Sequence, residues 1–351
     1  MQLLLFLSTN ILQLSKDTLN VIIGSVFIFG FSSCKENPNP STPNSYFTAP
    51  SHFPELVYNN DANQLKAEKV NLGKELFFDP ILSLDSSISC GSCHQIAYAM
   101  SDRNRKLSFG VENQIGNRNT PALFNLAWQK HFMWDGGVNH IEFVPVAPIE
   151  NPVEMKLDFV DAIDRINKNE YYKSEFNRLF NVDQISDREF LFAISQFMTV
   201  LVSAESKYDD VVASNATFTT SEQKGYDLYK INCAECHTEP LFTSVGFKNN
   251  GLDSTFQDIG RKRITTNEDD IGKFKIPSLR NLAYTYPYMH DGRFNSLHQV
   301  LDHYSEGIQS SKETPADVLN MRFTEEEKQS ILAFLATLND EKFVSNKLFQ
   351  P

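Results

Sequence analysis

Two pentapeptides constrain this chain more than anything else in it: CGSCH at 90–94 and CAECH at 233–237. In each, two thiols sit three positions apart and a histidine comes at once after the second. Three chemistries use such a pair. A structural zinc needs four ligands, commonly two CxxC pairs or one pair with two histidines at short spacing. A redox dithiol needs the cysteines alone. Covalent c-type haem uses both thiols, which add to the two vinyl groups of one porphyrin, and takes the adjacent histidine as the proximal iron ligand. Two copies, each trailed by histidine and each preceded by its own amphipathic helix pattern, favour the third. The expectation is two covalent c-type haems, one held by Cys90, Cys93 and His94, the other by Cys233, Cys236 and His237.

The chain has five cysteines, and the fifth is Cys34. It ends an apolar run, Val21 to Phe31, and is succeeded by a linker rich in proline, asparagine and serine. The run is too short for a stable membrane-spanning helix but suits a signal-peptide core. The ending resembles a bacterial lipobox, with Phe31 where leucine is usual and Lys16 as the one positive charge before the run. The reading is therefore a leader over 1–33 and a linker over 34–55, with Cys34 as a lipidated first residue. Export to the periplasmic side of the envelope is then expected, because c-type haem is attached outside the cytoplasm. The formal charge of −12, with no lysine- or arginine-rich run, excludes nucleic acid as an expected partner.

Beyond the linker the pattern is helical with long irregular connections. Leu65, Leu72 and Leu76 fall near helical spacing before the first motif. Thr220 and Gln223 read as a capping box before the second, and Thr324 with Glu327 as another, opening a helix that carries Ile331, Leu332, Leu335 and Leu338 on one face. No stretch alternates as a run of hairpin strands. The repeating unit is helix, CxxCH, long loop, helix. This predicts an all-α fold of two helical domains, 56–215 and 216–351, each with one haem.

Three longer segments go further: "GNRNTPALFNLAWQKHFMWDGG" (116–137), "APIENPVEM" (147–155) and "FKIPSLRNLAYTYPYMHDGRFNSLHQVLDHYSEG" (274–307). They resemble the bacterial dihaem cytochrome c peroxidase family, which includes the enzyme that matures methylamine dehydrogenase. The resemblance covers roughly residues 53–345. It implies two cytochrome c-like helical domains and the two-electron reduction of hydrogen peroxide to water. Electrons would come from a small donor protein such as a cytochrome c or a cupredoxin-like carrier. It also implies residue roles. Glu154 matches the distal glutamate that moves a proton between the peroxide oxygens. Trp134 matches the tryptophan between the haems. Tyr304 occupies the position of the sixth ligand of the second haem, where typical peroxidases have methionine and the methylamine-dehydrogenase-maturing branch has tyrosine; Met289 is the nearby alternative. Asn119, Thr285 and Pro287 match a calcium site between the domains, with oxygen-only ligands as calcium requires.

Two departures from the family pattern carry consequences. The loop "RKLSFGVENQIGNRNTP" has no histidine of the kind that blocks the first iron until the second haem is reduced, so the first iron is expected to stay open. Val144 replaces a glutamine of the distal pocket. The remaining histidines, His52, His131, His140, His290, His298 and His303, read as structural or surface residues. Two alternatives stay open: a dihaem oxidase acting on a protein or small organic substrate through high-valent iron, and a non-catalytic dihaem electron carrier. Family members are often dimers, so the resemblance allows a homodimer, while the residues themselves leave the oligomeric state open.

Overall fold

The computed structural model describes residues 47–58 and 61–351. Residues 1–33, read above as a leader, Cys34 and most of the expected linker lie outside the described residues. Seven helices organise the chain: α1 (Ala67–Phe78), α2 (Phe159–Lys168), α3 (Glu170–Phe180), α4 (Asp187–Thr199), α5 (Thr220–Asn232), α6 (Leu297–Asp302) and α7 (Glu325–Ala336). Further short helices, among them Lys207–Val212 and Val146–Glu150, and several helical turns connect them. Sheet among the described residues is confined to β1 (Phe247–Lys248) paired antiparallel with β2 (Phe274–Lys275), with Phe247 opposite Lys275. The helix-rich expectation holds.

The two helices that precede the CxxCH motifs are fixed in the same way. Gly73 in α1 lies against the carbonyl of Ala193 in α4, so close that a Cβ would overlap it. Gly225 in α5 lies against the carbonyl of Ser330 in α7 with the same consequence. Each crossing therefore needs a residue without a side chain, because the helices meet backbone to backbone. Around the first crossing Leu72, Leu76, Phe77, Phe190, Ile194 and Phe197 are buried in one hydrophobic cluster; around the second, Tyr229, Phe242, Ile331, Phe334 and Leu335 form another. Near the C-terminus Phe343 and Phe349 cross back and pack into the first cluster.

Helix α5 begins one residue earlier than the sequence pattern places it. Thr219 is the N-cap, its Oγ1 accepting from the N–H of Glu222 at 3.3 Å, while the Glu222 carboxylate accepts from the Thr219 N–H at 2.7 Å. The Thr220–Gln223 box is corrected to Thr219–Glu222. The physical reason is that an ionised carboxylate makes a stronger charge-assisted reciprocal bond than an amide. The Thr324–Glu327 box caps α7 as expected.

The internal repeat extends well beyond the motifs. A constant spacing separates Pro121 from Pro277, Asn125 from Asn281, Met133 from Met289, Asp135 from Asp291 and Gly136 from Gly292. The structure makes these pairs equivalent. Met133 and Met289 have φ of 63° and 77°, Gly136 and Gly292 have φ of 69° and 66°, and the turns are closed by bridges Phe132–Val138 and Tyr288–Phe294. The two copies grip each other. The Asn119 N–H donates to the His290 carbonyl at 2.7 Å, and the equivalent Lys275 N–H donates to the Trp134 carbonyl, also at 2.7 Å. Arg261 adds two bonds from Nη1 to the carbonyls of Asp135 and Gly136, at 2.9 and 2.8 Å.

Because both helix crossings are closed by the absence of a methyl group, Gly73→Ala and Gly225→Ala should each destabilise the protein by about 1–3 kcal/mol, the usual cost of overpacking a tight contact. Denaturant midpoints of the haem-loaded protein check this, with an unchanged slope as the sign that only stability moved.

Candidate haem cavities

The first motif forms a short helical turn, Cys90–Cys93, capped by Ser89 and Ser92. His94 comes directly after it, and its Nδ1 lies 2.8 Å from the Met100 carbonyl. A carbonyl only accepts, so Nδ1 carries the proton and Nε2 keeps its lone pair. Burial pushes the His94 pKa down to about 4, which keeps the ring neutral. His237 is set in the same tautomer by two carbonyls, Pro277 at 3.0 Å and Phe242 at 3.3 Å from Nδ1. Its pKa is likewise pushed down to about 4 by burial. A neutral imidazole with the distal nitrogen free is what iron ligation requires, and the hydrogen bond on the other nitrogen is what orients it.

The rival zinc use of the cysteines fails on geometry. The four motif thiols form no disulfide. Among the described residues the one group of three histidine, cysteine or acidic side chains with ligand atoms within 4.8 Å of each other is His298, Asp302 and Glu325. The two CxxC pairs therefore do not converge as a zinc site would need. The His298 group already holds an ammonium: Lys328 Nζ bonds Asp302 at 2.6 Å and Glu325 at 2.7 Å.

Each motif opens on a cavity. The first, about 540 Å³, is lined by Cys90, Cys93, His94, Val144, Glu154 and Met155 among others. His94 is the one histidine among its lining residues, so no second imidazole faces it from the loop at 105–121. Val144 is buried in its wall. The second cavity, about 240 Å³, is lined by Cys236, His237, Met289, His290 and Tyr304. Tyr304 stands in a π-helical turn, His303–Gly307, that directly continues α6, and burial pushes its hydroxyl up to about 12. Both candidate sixth ligands of the second iron thus face the same space, and Asn250 Nδ2 donates to the Met289 sulfur at 3.3 Å. Asn119, Thr285 and Pro287 also line this cavity; the Asn119 amide nitrogen donates to the carbonyls of Arg105 and Lys106, both at 3.2 Å.

Glu154 is positioned by its own turn. Its N–H donates to the Asn151 carbonyl at 3.0 Å, its carbonyl accepts from Val111 at 2.7 Å, and Oε1 accepts from Asn151 Nδ2 at 2.7 Å. Burial raises the Glu154 pKa, and the Asn151 bond partly opposes that rise. Trp134 lines both cavities, as do Asn119, Thr120, Pro121 and Met133. Its Nε1 donates to the Asn119 carbonyl at 2.8 Å, and its ring meets His290 edge-on at 6.4 Å between centroids. His290 in turn stacks on Phe274 at 3.7 Å. The turn repeat that seats Trp134 against His290 was readable from the constant spacing of MWDG and MHDG. Lys275, which also lines the second cavity, had no signal of its own.

The residues fit the expected group: Cys90, Cys93 and the neutral His94 line the first cavity, and Cys236 with the neutral His237 lines the second, Cys233 lying three residues before Cys236 in the same motif. Comparison with known proteins agrees. Residues 67–217 match the family described as di-haem cytochrome c peroxidase. The chain is 35% identical, over 82% of its length and 83% of the relative's, to methylamine utilization protein MauG of Methylorubrum extorquens. It is 33% identical, over 79% of its length and 81% of the relative's, to cytochrome c551 peroxidase of Nitrosomonas europaea. Among solved structures, a MauG-like protein associated with microbial copper homeostasis superposes with a TM-score of 0.78 at 32% identity, covering 86% of this chain and 97% of that one.

Replacing Cys90 and Cys93 together by alanine should remove one covalent haem per chain and leave the other. Pyridine haemochrome absorbance per mole of protein measures this, with two per chain expected for the unaltered protein.

Proposed function

The chain belongs to the di-haem cytochrome c peroxidase family, and we propose that it is a two-haem peroxidase reducing hydrogen peroxide to water with electrons from a small donor protein. In this reading residues 56–215 carry the peroxide-reacting haem, on His94, and residues 216–351 the electron-supplying haem, on His237. When bound, the haems supply the iron that receives peroxide and the path by which electrons reach it. The observation that carries the assignment is the content of the first cavity: a half-buried glutamate, Glu154, lines it, and no histidine besides His94 does.

Glu154 then moves the proton. Its carboxylate takes a proton from one peroxide oxygen and returns it to the other, so the O–O bond breaks with water leaving. Asn151 holds Oε1 at 2.7 Å and aims the carboxylate. The raised pKa brings Glu154 nearer the working pH, where a group that both accepts and gives a proton is most effective. Trp134, in the wall common to both cavities, is the proposed electron bridge. Oxygen donors at Asn119, Thr285 and Pro287 suit a calcium ion. Export, with Cys34 as a lipid anchor, is supported by the leader pattern and by the site of haem attachment; no described helix is long and apolar enough to cross a membrane.

Tyr304 favours a second reading. It lines the cavity of His237 where a methionine would give a higher-potential iron, and an oxygen ligand favours the ferric state. A dihaem oxidase drawing electrons from a protein or a small organic substrate would use such a centre. Peroxide turnover with reduced cytochrome c separates the two readings.

Glu154→Gln should lower peroxide consumption about 10²–10⁴-fold, the usual contribution of a general acid–base group. A loss within tenfold in steady-state assays ends the proton-carrier role. The pH profile gives a second check with a definite sign. The ionised carboxylate is the form that accepts a proton, so the rate falls as pH drops through a pKa above the ordinary glutamate value of about 4.3. Asn151→Ala removes a donor that favours the carboxylate, so this acid limb should move to higher pH.

A further inference from the structure

Lys275 is a charge that neither the fold nor the proposed chemistry uses. It stands on β2, where its N–H bonds the Trp134 carbonyl at 2.7 Å. Its Nζ donates to the Gln129 side-chain oxygen at 3.2 Å, and both residues line the second cavity beside His237 and Tyr304. No carboxylate among the described residues pairs with it. The neighbouring Lys273 takes Asp270 and Glu313 instead, at 3.5 and 3.9 Å. Burial pushes the Lys275 pKa down to about 8, with no acidic group to counter it.

A cation withdrawn from water is costly unless an anion faces it, and a neutral amide oxygen compensates only in part. The side chains around Lys275 supply no such anion. A c-type porphyrin brings two carboxylates, its propionates.

We propose that Lys275, steadied by Gln129, is the carboxylate receptor of the second cavity and pairs with a propionate of the porphyrin attached through Cys233 and Cys236. The inference rests on the two-haem reading. The repeat makes it asymmetric: the residue equivalent to Lys275 in the first copy is Asn119, a neutral amide, and the cations lining the first cavity are Arg118, already paired with Asp135 and Asp258, and Arg263. One position of the duplicated scaffold thus gives a cation to one cavity and none to the other. A fixed positive charge favours the reduced, more negative state of the haem beside it. Lys275 accordingly raises the potential of the second haem, against the lowering expected of an oxygen ligand at Tyr304.

The test is a spectroelectrochemical titration of the fully haem-loaded protein, unaltered and as K275M, K275R and K248M. Lys248 lines the same cavity but is exposed, so its loss controls for a general change of charge. In K275M the midpoint potential of the second haem should fall, by more than that of the first haem and by more than in K248M. K275R, which keeps the charge, should stay near the unaltered value. The propionate bending bands in resonance Raman should shift in K275M as well. If K275M fails to mature, K275Q replaces it. Two haems per chain with unchanged potentials and propionate bands in the neutral variants overturn the proposal and leave the two-haem reading intact. A larger shift in K248M than in K275M overturns it too. One haem per unaltered chain overturns the two-haem reading and the proposal with it.

Discussion

Two backbone hydrogen bonds, Asn119 to the His290 carbonyl and Lys275 to the Trp134 carbonyl, join the copies of a duplicated turn, and the arrangement of both cavities depends on them. Each turn is tight because its methionine and glycine adopt positive φ, and each would be free to drift on an irregular loop. Exchanging N–H groups across the pseudo-symmetric pair removes that freedom. It sets Trp134 in the wall that both cavities share and His290 edge-on to it. Buried backbone groups must be paired, so the exchange also satisfies groups that a loop in this position would otherwise leave open.

On this common frame the two halves diverge through a few side chains. At the first cavity the duplicated turn ends in Trp134, and the chain returns with Glu154 held by Asn151. At the second it ends in His290, and the chain returns with Tyr304. Lys275 against Asn119 adds an electrostatic difference at one repeat position. Matching attachment motifs thereby sit in cavities of different polarity, charge and ligand supply. In a family whose proposed chemistry needs one reacting and one supplying centre, that inequality is the functional content of the fold.

Much of this is legible in the letters of the chain. The CxxCH pairs name their own ligands, because thiol and imidazole chemistry at that spacing has few uses. Amphipathic spacing located the helices ahead of each motif, and the Thr324–Glu327 box marked α7. The Thr219–Glu222 cap was displaced by one residue, since two adjacent threonines offer the same local signal and only the stronger acceptor decides between them. The equivalence of MWDG and MHDG was present in the letters, but its meaning was not: positive φ at Met133 and Met289 runs against ordinary residue preference. Lys275 read as one more lysine in a chain with 32 lysines and arginines. Nothing local distinguishes a charge facing a cavity from one facing water.

The letters of the chain supply the candidate ligands, four thiols and two histidines in the motifs with Glu154 and Tyr304 at positions that match the family pattern, and they place amphipathic helices ahead of each motif, since helical spacing is a local property of the chain. The tertiary structure decided which of them share a space. Glu154 meets the cavity of His94 sixty residues away, Tyr304 meets that of His237 across a comparable span, and Trp134 meets both. Those meetings depend on Gly73 and Gly225 letting helices touch and on two N–H groups crossing between turns. Such contacts join residues far apart in the chain, and their geometry comes from the packing of the whole.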